Sequence, residues 1–181
     1  MRIENRSEWD NDLIERTIGE AISAYEAVFP APVSFTFGKG VDLTPAATQG
    51  LTPAAAGALT PTGITLVTSG IITYEALLAV RQLAEEGLAI RLLHMGSVKP
   101  LDESLLLAAA AESRLLVTAE NHSVIGGLGN AVLEALAASC PRPVIRLGIQ
   151  DEFCEGQTQA ELLERHGLSA ARIAGHIRAL A

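Results

Sequence analysis

Two cysteines in 181 residues, Cys140 and Cys154, form no Cys-x-x-Cys pair and cannot supply a disulfide framework. A hydrophobic core must therefore hold this chain, and both cysteines are expected to be reduced thiols. Positive charge is short: 13 Lys and Arg stand against 21 Asp and Glu, for a net charge of -8. With no run of basic residues to track phosphates, nucleic acid is not expected as a partner. Long apolar runs are missing as well. The longest, residues 105–111, is interrupted by Glu112 and Arg114 before it reaches membrane-spanning length, and the N-terminus is charged with no apolar signal core. No membrane is expected as a partner, and the expected location is the cytoplasm.

Motifs that carry chemistry are equally scarce. His94, His166 and His176 are scattered over separate elements, and no His-x-x-x-His or His-Cys cluster marks a metal. No Gly-x-Ser-x-Gly elbow occurs, and Ser69 and Ser123 fall in turns where hydroxyls commonly cap helices. Neither a catalytic residue nor a metal ligand is expected from the residues themselves.

What the chain does contain is an alternation of short apolar strands with amphipathic helices, clearest in residues 114–136. Leu115, Leu116 and Val117 form an apolar run, and Val124, Leu128, Val132, Leu133 and Leu136 recur at helical spacing, which predicts strand, tight loop, helix. The loop is Glu120, Asn121, His122 and Ser123, with Gly126, Gly127 and Gly129 expected in the first turns of the helix. Glycines there let a helix lie close to a strand or loop, and a helix start with bare N–H groups can also hold an anion. Close packing is the simpler reading, because the dinucleotide fingerprint would need Gly or Ala at Val132 and a distant acidic residue for the ribose. Glu120 and His122 are the one acid and imidazole placed together at the carboxyl end of a predicted parallel strand, where open α/β sheets bind ligands. His122 could donate a proton or contact a phosphate with Glu120 orienting it; alternatively Glu120 caps locally while His122 faces an interface. Glu120, His122, Ser123, Gly126, Gly127 and Gly129 are thus the candidate interface or anion-binding residues.

Earlier in the chain, Ser7 can cap a helix in which Trp9, Leu13, Ile14, Ile18, Ile22, Tyr25 and Phe29 repeat at helical spacing. Residues 1–32 are expected to form this amphipathic helix and a linker, docking on the rest of the chain or on a partner. Residues 33–37 alternate as a short strand, and residues 44–63, made of Thr-Pro-Ala-like units, are expected to be a flexible insertion. Then come a strand at 64–67, a Thr-Ser-Gly turn, a helix stopped at Gly87, a strand at 88–95, and a helix capped by Asp102 that runs through Ala111. The Thr-Ser-Gly turn misses a flavin phosphate loop because its next Thr is displaced to Thr73. Lys99 beside Pro100 is expected to be solvated. A last strand spans 144–147, followed by short helices at 159–166 and 169–181, with Ser169 capping the second. Arg146 within that strand needs a partner, for which an acidic residue of an interface is the candidate, unless the strand lies at an edge. The alternation implies a three-layer α/β/α sandwich around a mostly parallel sheet of about five strands.

ENHSVIGGLGNAVLEAL at 120–136 resembles the strand, acidic-His turn and glycine-rich helix in the C-terminal domain of transketolases. The resemblance continues in order through GKGV at 38–41, VTSGIITYEALLAVRQLAEEG at 67–87, SVKPLDESLL at 97–106 and DEFCEGQTQAELLERHGLSAARI at 151–173. It implies that 33–181 form such a domain, with the same α/β/α fold. Transketolase-like enzymes hold thiamine diphosphate through magnesium with a Gly-Asp-Gly motif on one domain and activate it with a Glu on another. This sequence contains no Gly-Asp-Gly. The resemblance therefore implies that the chain binds no cofactor alone, that thiamine diphosphate and magnesium belong to an assembled enzyme, and that a companion subunit carries the thiamine-binding domains. In that family the third domain mainly builds the dimer and shapes the active-site entrance, which implies a non-catalytic subunit within an oligomer. The nearest likeness is to the transketolase and deoxyxylulose phosphate synthase branch. A free-standing α/β module that binds a small anion or nucleotide in a regulatory role is the alternative left open by the glycine turn. Neither donor nor acceptor substrate is legible.

Overall fold

The computed structural model describes residues 39–44, 59–154 and 156–181. The helix expected within 1–32, the strand at 33–37 and most of the 44–63 insertion lie outside them. In order, the elements are β1 (Gly40–Asp42), β2 (Thr60–Thr68), α1 (Ile72–Glu85), β3 (Leu88–Met95), α2 (Glu103–Ala111), β4 (Leu115–Ser123), α3 (Leu128–Ser139), β5 (Val144–Ile149), α4 (Gln159–Arg165) and α5 (Ala170–Arg178). The strands form one sheet in the order β1-β3-β2-β4-β5. The short edge strand β1 is antiparallel to β3, and the other three pairings are parallel. This is the expected α/β fold with a mostly parallel sheet.

Strand alternation divides the core into two halves. Val67, Leu93, Met95 and Leu116 pack in one cluster with Leu106, Ala109 and Ala110 of α2 and Leu128, Val132 and Leu136 of α3. The intervening Leu66, Leu92 and Val117 are fully buried on the opposite side, where α1 packs on β3, β2 and α5. In α1 the buried residues Ile72, Thr73, Ala76, Leu77, Ala79, Val80, Leu83 and Ala84 recur at helical spacing, so the helix turns one broad stripe inward. Each large side chain so buried contributes about 1.5–3 kcal/mol, which is how a chain without disulfides is held.

Helix boundaries follow local chemistry. Asp102 caps α2 by accepting from the Leu105 N–H, and Ser169 caps α5 by accepting from the Arg172 N–H, as the sequence led us to expect. Thr158 and Glu161 form a reciprocal capping box at the start of α4. Several boundaries differ from expectation: β5 runs on to Ile149, α5 ends at Arg178, and three further differences reshape the elements around them. β2 begins at Thr60 rather than 64, so Thr60–Gly63, assigned to the flexible insertion, belongs to the sheet: the Thr60 N–H donates to Gly87 O at 2.7 Å and Thr62 Oγ1 donates to Ala89 O at 2.8 Å. β4 continues through the expected loop 120–123, because Ser123 pairs with Ile149 past an irregularity that follows Ala119. As a result α3 starts only at Leu128, and Gly126 and Gly127 precede the helix rather than lying in its first turns.

Candidate functional site

The sheet changes direction at β2 and β4. β2 leads through α1 to β3 on one side, and β4 leads through α3 to β5 on the other. Ligands of open α/β sheets bind at the carboxyl ends of such a strand pair, and the candidate residues of 120–129 follow the carboxyl end of β4.

Glu120 is buried there, 4% exposed. Its Oε2 accepts from the Leu128 N–H at 2.7 Å and its Oε1 from the Gly129 N–H at 3.0 Å. The first N–H groups of a helix have no partner within it, and the positive end of the helix dipole favours a carboxylate, so Glu120 fastens the start of α3 to the end of β4. Two of the donors that an external anion would use are thereby engaged by the protein's own carboxylate. The glycines allow this closeness. A methyl at Gly127 would run into the Glu120 carboxylate and come within 2.9 Å of Ser123 O, and one at Gly129 would lie 2.6 Å from Arg146 Cδ and 3.0 Å from Thr118 Oγ1. Gly126, at φ 77°, turns the chain into α3 in a conformation side chains disfavour.

His122 is exposed, and its Nδ1 lies 3.1 Å from Ser123 O. Both Glu120 oxygens face α3, so among the described hydrogen bonds Glu120 does not orient His122. The Ser123 hydroxyl accepts from the Ile125 N–H at 3.1 Å and stiffens the turn. Arg146 lies on the edge strand β5, and among the described residues it has no acidic partner. It donates through Nη1 to Val124 O at 2.7 Å and Asn130 Oδ1 at 2.8 Å, clamping the same turn from the other side.

Two features nearby were not read from the sequence. Alongside α3 runs a groove of about 790 Å³, bordered by Lys99, Leu101, Gly126, Asn130, Glu134 and Ala138. Across β2 and β3, Thr68 Oγ1 lies 3.0 Å from Thr73 Oγ1, which lies 2.7 Å from His94 Nδ1. Burial pushes the His94 pKa down and so favours a neutral ring. The displaced Thr73 was visible in the sequence, but only the strand pairing brings His94 beside it.

A magnesium–diphosphate group needs converging oxygen ligands. Among the described residues no group of three or more His, Cys, Asp or Glu is placed to hold a metal ion. No described helix is long and apolar enough to cross a membrane.

Among relatives, the chain is 44% identical over 110 residues to the 6-deoxy-6-sulfo-D-fructose transketolase subunit SqwH of Clostridium sp. (strain MSTE9), covering 61% of this chain and 34% of that protein. It is 36% identical over 160 residues to the 1-deoxy-D-xylulose-5-phosphate synthase of Polaromonas sp., covering 87% of this chain and 24% of that protein. A solved structure of a split-gene transketolase, an inactive beta4 tetramer, superimposes with a TM-score of 0.66 at 38% identity, covering 82% of this chain and 44% of that one. The chain thus spans about a third or less of these curated relatives. The model of the transketolase C-terminal domain matches residues 61–173, from β2 into α5, and on that match the chain belongs to the transketolase C-terminal domain family.

Proposed function

We propose that this chain is the C-terminal-domain subunit of a transketolase-type enzyme, serving assembly and the active-site entrance, while a companion subunit holds thiamine diphosphate and magnesium. The observation that carries this reading is that one relative is itself a transketolase subunit and one structural neighbour comes from a split-gene transketolase. The local geometry is consistent with a scaffolding role. Glu120 is spent on fastening α3, and the exposure of His122 on the fixed turn supports a contact with another protein surface over a role with a neighbouring acid. The regulatory-module alternative would require an anion to displace Glu120 from the Leu128 and Gly129 amides, and no observation favours it.

Calorimetric titration of the isolated chain with thiamine diphosphate and magnesium tests the division of labour. The expected outcome is no micromolar binding. Ketol transfer between sugar phosphates should appear only when a subunit carrying Gly-Asp-Gly is added. Micromolar cofactor binding by the chain alone would overturn the proposal.

A further inference from the structure

The connection from β5 to α4 lines up a thiol, an imidazole and a carboxylate. Cys154 Sγ lies 3.6 Å from His166 Nε2, and His166 Nδ1 lies 3.3 Å from Glu152 Oε1. The imidazole is the enclosed member, with 5% of its side chain exposed against 48% for Glu152, while Cys154 is exposed. An ionised carboxylate only accepts, so Nδ1 must carry the hydrogen to bond Glu152. With the ring neutral, that tautomer leaves the Nε2 lone pair facing the sulfur, and the thiol is then the donor across the Sγ···Nε2 contact. The ring is held in place from behind. The His166 N–H donates to Leu162 O at 2.9 Å where α4 ends, α4 begins in its capping box, and Leu163 and Leu168 are buried on either side.

We propose that Cys154 is a thiol–disulfide exchange site for small-molecule disulfides, with His166 taking the thiol proton and Glu152 positioning the imidazole. In the exchange the Cys154 proton passes to His166 Nε2 and the sulfur attacks one sulfur of the disulfide. A new S–S bond forms as the old one breaks, and the departing thiolate takes the proton back from the imidazolium. The products are a mixed disulfide on Cys154 and one equivalent of small thiol, with His166 and Glu152 restored. The adduct sits beside the fully exposed Phe153 at the carboxyl edge of the sheet. Cys140, half-buried where α3 ends, is an internal reference within the same molecule.

The test exposes the full chain to glutathione disulfide and follows each cysteine by peptide mass spectrometry. At pH 7, Cys154 is expected to form the mixed disulfide roughly tenfold faster than Cys140, and both His166→Gln and Glu152→Gln are expected to slow Cys154 toward Cys140. Near pH ~9.5, where an ordinary thiol ionises unaided, the variants should match the parent chain. Removing the Glu152 charge alone would speed attack on an anionic disulfide, so slowing in Glu152→Gln reports the relay. Because Glu152 is half exposed, that variant keeps the test readable if His166→Gln disturbs α4. Equal rates for Cys154 and Cys140 at pH 7, unslowed variants, or an equal slowing at both pH values would overturn the proposal.

Discussion

Glu120 shows how one residue can serve a different end from the one its neighbours suggest. In sequence it stands two positions from His122 and invites a paired role. In the fold its two oxygens serve amides eight and nine positions on. That role could not be read without knowing that β4 runs to Ser123 and that α3 waits until Leu128. The glycines were legible as sites of close approach, and what they approach was not. Gly127→Ala should lower stability by about 1–3 kcal/mol, since the Glu120 carboxylate or Ser123 must give way. Glu120→Ala should lower it by about 1–3 kcal/mol for each buried donor it strands. His122→Ala, at an exposed position, should stay within about 0.5 kcal/mol. Denaturant unfolding of the three variants checks the order. Should His122→Ala prove the most damaging, His122 is a core residue and the interface reading fails.

At the scale of elements, caps were the most legible features and strand ends the least. Asp102 and Ser169 announced α2 and α5 because a cap is a local interaction. The start of β2 was hidden by Thr, Pro and Gly in Thr60–Gly63, residues that usually signal a loop. They are held in the sheet by long-range bonds: the Arg114 N–H donates to Gly63 O at 2.8 Å and Arg114 Nε donates to Thr62 O at 2.6 Å. Replacing 60–63 with Gly-Ser residues should therefore lower the melting temperature by several degrees, a shift corresponding to about 1 kcal/mol or more. An unchanged melting temperature would contradict the place of this segment in β2.

Acid should weaken the same elements. The Ser104 hydroxyl first, then the Gly40 and Leu105 N–H groups and the Lys39 charge, hold the Asp102 carboxyl below the usual range against the opposing effect of burial. A lowered carboxyl pKa stabilises the fold above the unfolded value, and that contribution is lost as pH falls through the folded value. His94, also lowered, acts with the same sign but sooner. As pH drops below about 6.5 the unfolded chain takes up a proton that the buried ring refuses, so stability declines from there. Unfolding free energy measured between about pH 7 and 5 should fall, and His94→Gln should flatten that slope. A slope unchanged in the variant would exclude His94 as its source.

For the molecule as a whole, the order of strands and helices was readable because each apolar run is short and bounded, and a buried parallel sheet leaves that mark. Four of the five strands follow from that order, β1 at Gly40–Asp42 not being among the expected ones, and the transketolase C-terminal likeness rests on the motifs along the chain. What the order does not carry is the surface: the groove beside α3 and the alignment of Cys154 with His166 arise from segments that meet only in the fold. The account stands or falls on whether this chain works within a larger enzyme. The most direct measurement is to purify it from its native source under gentle conditions and identify what accompanies it. The account predicts a stoichiometric companion chain that carries Gly-Asp-Gly, with thiamine diphosphate in the complex and ketol transfer by it. A homogeneous oligomer of this chain alone, retaining a bound small anion or nucleotide, would contradict it.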